Sequence, residues 1–187
     1  MKETFIQHKT FEKNELPIKG EYENCQFKSC NFSESNLSDF KFIACTFNAC
    51  NFSLVKINNT VFQDVKFKDC KMVGLLFDTF NSFGLSFSFD SCQLNHSSFY
   101  KTKIKKTLFK NSQLQGIDFT EADLTSAAFD NCDFLQAIFD LSILEKADFR
   151  TAFNYTINPE KNRIKKAKFS VLGLSGLLDN YDIEIEK

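Results

Sequence analysis

The chain has 187 residues and a formal net charge of −1, so it exerts no overall electrostatic attraction on nucleic acid or on an anionic membrane. No apolar run approaches the length of a membrane span, and the first residues lack the apolar core of a secretory signal, so we expect a cytoplasmic protein with no membrane partner. The composition includes 24 Phe and no Trp, which indicates a repeated structural position that selects Phe.

Residues 1–19 carry no repeat, and we expect them to form an N-terminal cap. From Tyr22 onward, a large apolar residue, here called the central residue, recurs at every fifth position. This period matches neither an α-helix nor a β-strand. The first run comprises Tyr22, Phe27, Phe32, Leu37, Phe42, Phe47, Phe52, Ile57, Phe62, Phe67, Met72 and Phe77. The second run, shifted by two positions, comprises Phe89, Leu94, Phe99, Ile104, Phe109, Leu114, Phe119, Leu124, Phe129, Phe134, Phe139, Leu144 and Phe149.

A small residue stands two positions before most central residues, and all seven cysteines occupy this small position. A free cysteine behaves as a small buried hydrophobic residue. The cysteines also lack the paired spacing that is typical of metal sites, and a disulfide framework would require secretion. We therefore predict seven reduced thiols in the core, with no metal and no cofactor.

Segments such as ADLTS (122–126), CDFLQ (132–136) and ADFRT (147–151) resemble the pentapeptide-repeat family. The resemblance covers residues 20–152. It implies an all-β fold, a right-handed quadrilateral parallel β-helix in which each pentapeptide forms one side and four pentapeptides complete one coil.

Side chains 20 positions apart should then stack in columns. Phe27, Phe47 and Phe67 form one such column, and Phe89, Phe109, Phe129 and Phe149 form another. The two columns join if one coil contains two extra residues. We therefore predict a two-residue irregularity within residues 78–88.

Residues 153–187 are expected to form the last coil and a separate C-terminal module. The repeat returns at Ile164 and Phe169, and Ser170 is a plausible N-cap for a short α-helix. The alternation in residues 182–186 predicts a short strand after the helix. The module could serve as a cap alone, but its apolar residues exceed what one coil end needs, so we also expect homodimer contacts. The expected contact residues are Val171, Leu172, Leu174, Leu177, Leu178, Ile183 and Ile185.

The segments FGLSF (83–87), NPEKNRIKKAKFS (158–170) and LLDNYDIEIE (177–186) are similar to the quinolone-resistance (Qnr) branch of the family. This resemblance implies a two-fold dimer that binds DNA gyrase and topoisomerase IV by mimicking DNA. Branch members that protect gyrase from drug carry projecting loops, whereas the largest interruption here is about two residues. A loop-free mycobacterial relative inhibits gyrase, so protection and inhibition both remain open.

The charge pattern is compatible with mimicry, because eight acids fall between residues 113 and 149 against one lysine, Lys146. We call these acids the acidic belt, and all eight are predicted to point outward. The belt comprises Asp118, Glu121, Asp123, Asp130, Asp133, Asp140, Glu145 and Asp148. Charged outward positions in any solvated solenoid would give a similar pattern, so mimicry is not the only interpretation.

The sequence gives less support to other functions. Only His8 and His96 could supply an imidazole, and no nucleophile or phosphate-binding motif occurs, so we expect no enzyme. Direct nucleic-acid binding would rest on five lysines without an interleaved exposed aromatic residue, and we do not expect it. Those lysines are Lys101, Lys103, Lys105, Lys106 and Lys110. The remaining alternative is a structural or adaptor solenoid with an unrelated protein partner.

Overall fold

The repeat winds into a parallel β-helix with four faces in the computed structural model, which describes residues 4–13, 15, 17–184 and 186. Two parallel sheets run along the helix, ordered β1-β3-β5-β7 and β2-β4-β6-β8-β9-β10-β11. The strands are β1 (Thr4–Gln7), β2 (Thr10–Glu12), β3 (Gly20–Glu23), β4 (Gln26–Lys28), β5 (Lys41–Ile43), β6 (Thr46–Asn48), β7 (Val61–Gln63), β8 (Val65–Lys68), β9 (Phe87–Asp90), β10 (Leu108–Lys110) and β11 (Ala128–Asp130).

Each face carries one column of central residues. Face 1 contains the smaller sheet and begins with Tyr22, and face 2 contains the larger sheet and begins with Phe27. Faces 3 and 4, which begin with Phe32 and Leu37, are held by isolated bridges between successive coils. The β-helix fold that the family resemblance implied is confirmed.

The core is a set of stacked aromatic columns. On face 2 the ring centroids of Phe27 and Phe47 are 4.6 Å apart, and those of Phe129 and Phe149 are 4.7 Å apart. The column predicted from the sequence is therefore confirmed, and it is longer than expected. Phe11 stacks below it at 4.8 Å from Phe27, and Phe169 stacks above it at 5.4 Å from Phe149.

The corners of the coil require an unusual backbone conformation. The second residue after the central residue has a positive φ, for example 53° at Asn24 and 58° at Glu34. On face 3 the amide of Ser35 donates to the carbonyl of Phe32 at 2.9 Å and closes the turn. A positive φ at this point is what a type II turn demands. The residues before, after and two positions after each central residue therefore point outward, and they form the surface available to a partner.

Two extra residues enter the coil on face 1. In the regular pairing of β6 with β8, Phe47 lies opposite Phe67, whereas in the pairing of β8 with β9, Phe67 lies opposite Phe89. The amide of Asn81 still donates to the carbonyl of Thr60 in the regular pattern. The additional residues therefore lie between Asn81 and Phe87.

The N-terminal segment adds two strands to the sheets. β1 pairs with β3 and β2 pairs with β4, with Thr4 opposite Gly20 and Phe11 opposite Phe27, so this coil is shorter than a regular one. Phe11 is buried on the end of the face 2 column. The segment 4–12 thus forms a shortened first coil that covers the end of the repeat.

The C-terminal module is a series of short helical turns after the last coil. The side chain of Ser170 accepts a hydrogen bond from the Gly173 amide at 3.2 Å, as expected for the N-cap. The turns are the 3₁₀ segments Val171–Gly173 and Asp179–Tyr181 and the helix α1 (Ser175–Leu178); a further 3₁₀ turn, Phe77–Thr79, lies within the repeat.

The short strand predicted for residues 182–186 is wrong for the residues described there. Residues 182–184 and 186 form no strand, and Ile185 lies outside the described residues. The module instead lies across the last coil, where the Ile157 amide donates to the Gly176 carbonyl at 2.8 Å. A Cβ at Gly173 or Gly176 would collide with Tyr155, so two glycines allow this close approach.

Candidate functional site

The acidic belt surrounds the β-helix, because its members flank central residues on every face. Asp123 and Glu145 lie on face 1, and Asp118 and Asp140 lie on face 4. The other members are Asp130 and Asp148 on face 2, Asp133 on face 3, and Glu121 at the corner that follows face 4. The coil therefore spreads the belt over all four faces, as the sequence predicted.

Most of the belt is paired with cations. Five of the eight acids form ion pairs with Lys or Arg, mainly of the neighbouring coils. The pairs are Glu121–Lys101 at 3.4 Å, Asp123–Lys105 at 3.0 Å, Asp140–Lys161 at 3.7 Å, Glu145–Arg163 at 2.6 Å, and Asp148 with Arg150 at 2.7 Å and Lys168 at 3.7 Å. The belt thus lies between two cationic bands, and sequence reasoning did not identify the second band.

Asp123 differs from the expectation of an exposed belt. Asp123 is only 9% exposed to solvent. Burial acts to raise its pKa, but hydrogen bonds from Thr125 and Lys105 outweigh this effect and lower the pKa. Asp123 is therefore an ionised carboxylate held inside the surface, where it stabilises a turn and cannot offer a free charge to a partner.

Three belt members have no ion pair among the described residues: Asp118, Asp130 and Asp133. Asp133 accepts hydrogen bonds from Gln115 at 2.7 Å and Asn154 at 2.8 Å. Burial opposes ionisation of Asp133, yet these hydrogen bonds, together with one from the Leu135 amide, lower its pKa. The uncompensated negative charge of the belt is concentrated at these three positions.

The lysines between 101 and 110 divide into two groups. Lys101 pairs with Glu121 and also lies 4.8 Å above the ring of Tyr100, and Lys105 pairs with Asp123. Lys103, Lys106 and Lys110 form no ion pair among the described residues. The cations do not form one continuous free stripe, since part of their charge is used within the molecule.

Four of the seven predicted dimerisation residues are exposed, and they give the C-terminal end an apolar surface. Val171 is 84% exposed and Leu172 is 95% exposed, whereas Leu177 packs against the core. Leu174 and Ile183 are exposed, Leu178 is half-buried, and Ile185 lies outside the described residues.

A groove of about 620 Å³ lies between this end and the last coils. Its apolar lining includes Leu135, Phe153 and Leu172.

Sequence reasoning missed the apolar residues at outward positions of the repeat. Leu135 and Ile138 are each 49% exposed, Leu141 is 59% exposed and Phe153 is 44% exposed. The signal was present in the sequence, because each of these residues occupies an outward position that most other coils fill with polar side chains.

Two further findings concern the kind of site. No group of three or more His, Cys, Asp or Glu side chains within residues 4–13, 15, 17–184 and 186 is arranged to hold a metal ion. In the same part of the chain, none of the helices has the length and apolar character that a membrane crossing requires.

Comparison with solved structures shows the same fold in QnrB1, a plasmid-mediated fluoroquinolone resistance protein. Full-length QnrB1 superimposes with a TM-score of 0.63 at 15% identity, over 96% of this chain and 100% of QnrB1. A trypsin-treated variant of QnrB1 gives the same TM-score and identity over 98% of each chain. HetL, a pentapeptide repeat protein involved in heterocyst differentiation in the cyanobacterium Nostoc, reaches a TM-score of only 0.31 at 11% identity over 87% of each chain.

The sequence matches a known family over most of its length. The pentapeptide repeat region model matches residues 21–87 and 85–153, whereas no curated protein matches at a significant level. The matched residues are those that form the stacked coils with four faces. The chain belongs to the pentapeptide-repeat family.

Proposed function

We propose that this protein is a non-enzymatic member of the Qnr-like branch that binds a type II topoisomerase, DNA gyrase or topoisomerase IV, and modulates it. The observation that carries the proposal is the similarity of fold to QnrB1 over nearly the whole length of both chains, including the C-terminal module. The acidic belt supports it, since a topoisomerase binds DNA through a basic surface that attracts negative charge.

When only its unpaired acids are counted, the charge density of the belt is close to that of DNA. The belt extends over about one and a half coils, roughly 7 Å along the axis at the spacing of neighbouring strands. Duplex DNA presents about four phosphate charges over that length. The belt has eight acids there, of which three are unpaired among the described residues.

The existing ion pairs do not prevent binding of a basic partner. The Lys101, Lys161 and Arg163 side chains that pair with the belt are 56%, 62% and 66% exposed. Exposed ion pairs stabilise a protein by only about 0–1 kcal/mol. A basic surface can therefore replace these cations at little cost in free energy, which would reveal the full charge of the belt.

The exposed C-terminal end supports a homodimer as part of the proposal. Val171 and Leu172 have no apolar cover in the single chain. Pairing two such ends would give a longer rod with one acidic belt on each side of its centre.

A titration into a gyrase supercoiling assay, with and without a fluoroquinolone and at two salt concentrations, tests the proposal. Supercoiling restored in the presence of drug would establish protection, and salt-sensitive inhibition without rescue would establish inhibition. The variant Asp118→Asn/Asp130→Asn/Asp133→Asn should weaken either effect about tenfold. A control with three exposed acids of earlier coils neutralised, Glu34→Gln/Asp69→Asn/Asp78→Asn, should retain it. No effect of the wild-type protein at micromolar concentration would contradict topoisomerase binding.

The alternative is an adaptor solenoid with an unrelated protein partner. The specific observation in its favour is that five of the eight belt acids already pair within the chain, which is what a self-sufficient solvated surface would show. If the protein has no effect on gyrase or topoisomerase IV, the adaptor function remains, and its partner would then be sought by affinity capture.

A further inference from the structure

One coil of the β-helix exposes aliphatic side chains where the other coils mostly expose polar ones. Leu135, Ile138 and Leu141 occupy three outward positions of the segment 132–141, and each is about half exposed. We call these three residues the apolar strip. The three side chains are not needed to pack the core, because the central residues of this coil, Phe134 and Phe139, already fill it.

The strip runs from the corner between faces 3 and 4, across face 4, to the next corner. The Ala137 amide donates to the Phe134 carbonyl at 2.9 Å and closes a turn that contains Leu135. Ile138 follows this turn directly, and Leu141 comes three residues later. Three residues span at most about 10 Å, so neighbouring members of the strip lie within side-chain reach of one another.

Acidic residues lie beside the strip, on the preceding coil and within its own coil. Ile138 forms a bridge with Asp118 of the preceding coil, and the Glu121 amide donates to the Asp140 carbonyl next to Leu141. Asp133 lies two residues before Leu135. Two of these four acids, Asp118 and Asp133, are among the belt members without an ion pair in the described residues.

The strip is distinct from the expected dimer surface. The groove below the C-terminal module is lined by Leu135, but neither by Ile138, which lies on face 4, nor by Leu141, which lies at the corner that follows face 4. Ile138 and Leu141, two of the three residues of the strip, are thus free for a different contact.

We infer that the apolar strip is the anchor by which the acidic belt docks on its partner, a basic protein surface that presents apolar side chains among its cations. The inference rests on the proposed function and specifies which face of the belt makes the contact. Aliphatic anchors beside acidic side chains match a partner with the opposite charge and a similar apolar centre. Binding is then only partly electrostatic, unlike binding of DNA itself, because burial of the strip does not depend on salt.

The test is equilibrium binding to purified gyrase at several salt concentrations, with the variant Ile138→Thr/Leu141→Asn. Asn suits the positive φ of 54° at Leu141, so the change keeps the corner. We expect affinity to fall at least tenfold with an unchanged dependence on salt. The variant Asp118→Asn/Asp133→Asn should instead reduce the dependence on salt.

The control variant is Leu76→Thr/Leu54→Asn. Leu76 lies on face 4 like Ile138, and Leu54 has a φ of 56° like Leu141; the two leucines are 52% and 62% exposed. This control should bind as the wild type does. If Ile138→Thr disturbs the fold, Leu141→Asn alone provides the comparison with Leu54→Asn.

The outcomes separate the two proposals. Wild-type protein that binds gyrase, together with a strip variant that binds within twofold of it, would overturn the strip as the anchor and leave topoisomerase binding intact. Wild-type protein that does not bind would overturn the proposed function, and the inference that rests on it.

Discussion

At the end of the β-helix the hydroxyl of Tyr155 is buried and has no hydrogen-bond partner among the described residues. Burial also raises the pKa of this tyrosine, so the hydroxyl stays neutral. A hydroxyl taken out of water without a partner costs about 1–3 kcal/mol. Its ring is nevertheless needed, since it packs against both Phe149 and Phe169.

We therefore predict that Tyr155→Phe raises the free energy of unfolding by about 1 kcal/mol, because it removes the uncompensated hydroxyl and keeps the ring. Urea denaturation followed by circular dichroism measures the change. Tyr181→Phe is the matched control: its hydroxyl is exposed and donates to Glu160 at 3.1 Å, so its removal should change stability by less than about 0.5 kcal/mol. A loss of stability in Tyr155→Phe would show that the hydroxyl has a partner in solution.

Single residues of the site were predicted less well than those of the core. A period of five identifies which side chains point inward, because this depends only on position within the repeat. Which outward side chains meet in space depends on the number of residues in one coil and on how far each side chain extends. Glu145 and Arg163, for example, lie almost one full coil apart in sequence, yet their side chains are 2.6 Å apart in space.

At the scale of structural elements, the columns of small residues show why cysteine and serine are interchangeable in this fold. The thiol of Cys50 donates to the carbonyl of Phe27 at 3.4 Å, and the hydroxyl of Ser97 donates to the carbonyl of Met72 at 2.7 Å. These two side chains thus each donate to a carbonyl of the preceding coil. All seven cysteines are buried and free, as the sequence predicted.

We predict that all seven thiols are unreactive toward a thiol reagent at pH 8 in the folded protein and react fully in denaturant. All seven cysteines are at most 1% exposed, so a reagent cannot reach them. At Cys45 and Cys132 burial also raises the pKa to about 12, so the reactive thiolate is absent there as well. Fewer than seven reactive thiols in denaturant would indicate a disulfide or another modification.

The same burial predicts the response to alkaline pH. Above pH 9, the ordinary value, the Cys45 and Cys132 thiols lose their protons in the unfolded chain but keep them in the folded one up to about pH 12. The free energy of unfolding should therefore be constant up to pH 9 and fall as the pH rises toward 12. Urea denaturation at pH 8, 9.5 and 11 measures this fall, and serine variants of Cys45 and Cys132 should reduce it.

The two ends of the β-helix were the least predictable elements. The N-terminal strands pair in a register that places Thr4 opposite Gly20 and Phe11 opposite Phe27, and neither separation is a multiple of five. At the other end, the alternation in residues 182–186 is a local signal, whereas a strand requires a neighbour with free backbone groups. The turn that contains Gly176 occupies that position on the last coil through its bond with Ile157.

At the scale of the whole molecule, the surface divides into zones along the axis. An acidic belt that contains the apolar strip lies between two cationic bands, and the apolar C-terminal end follows. A formal net charge of −1 conceals this arrangement completely. If the C-terminal ends join, the order of zones is mirrored about the centre, and each copy presents its own belt to a partner.

The last prediction concerns this association. Wild-type protein should sediment with twice the chain mass of 21.6 kDa, because Leu172, 95% exposed, and Val171 gain apolar cover only from a second copy. Leu172→Asp should give a monomer with unchanged circular dichroism, since this side chain makes no contact with the core. Ile18→Asp, which places the same charge on a 65% exposed residue at the opposite end, should remain dimeric. A wild-type protein that sediments as a monomer at tens of micromolar would leave the C-terminal module as a cap. Simultaneous binding of two acidic belts to one partner would then require the partner itself to bring two chains together.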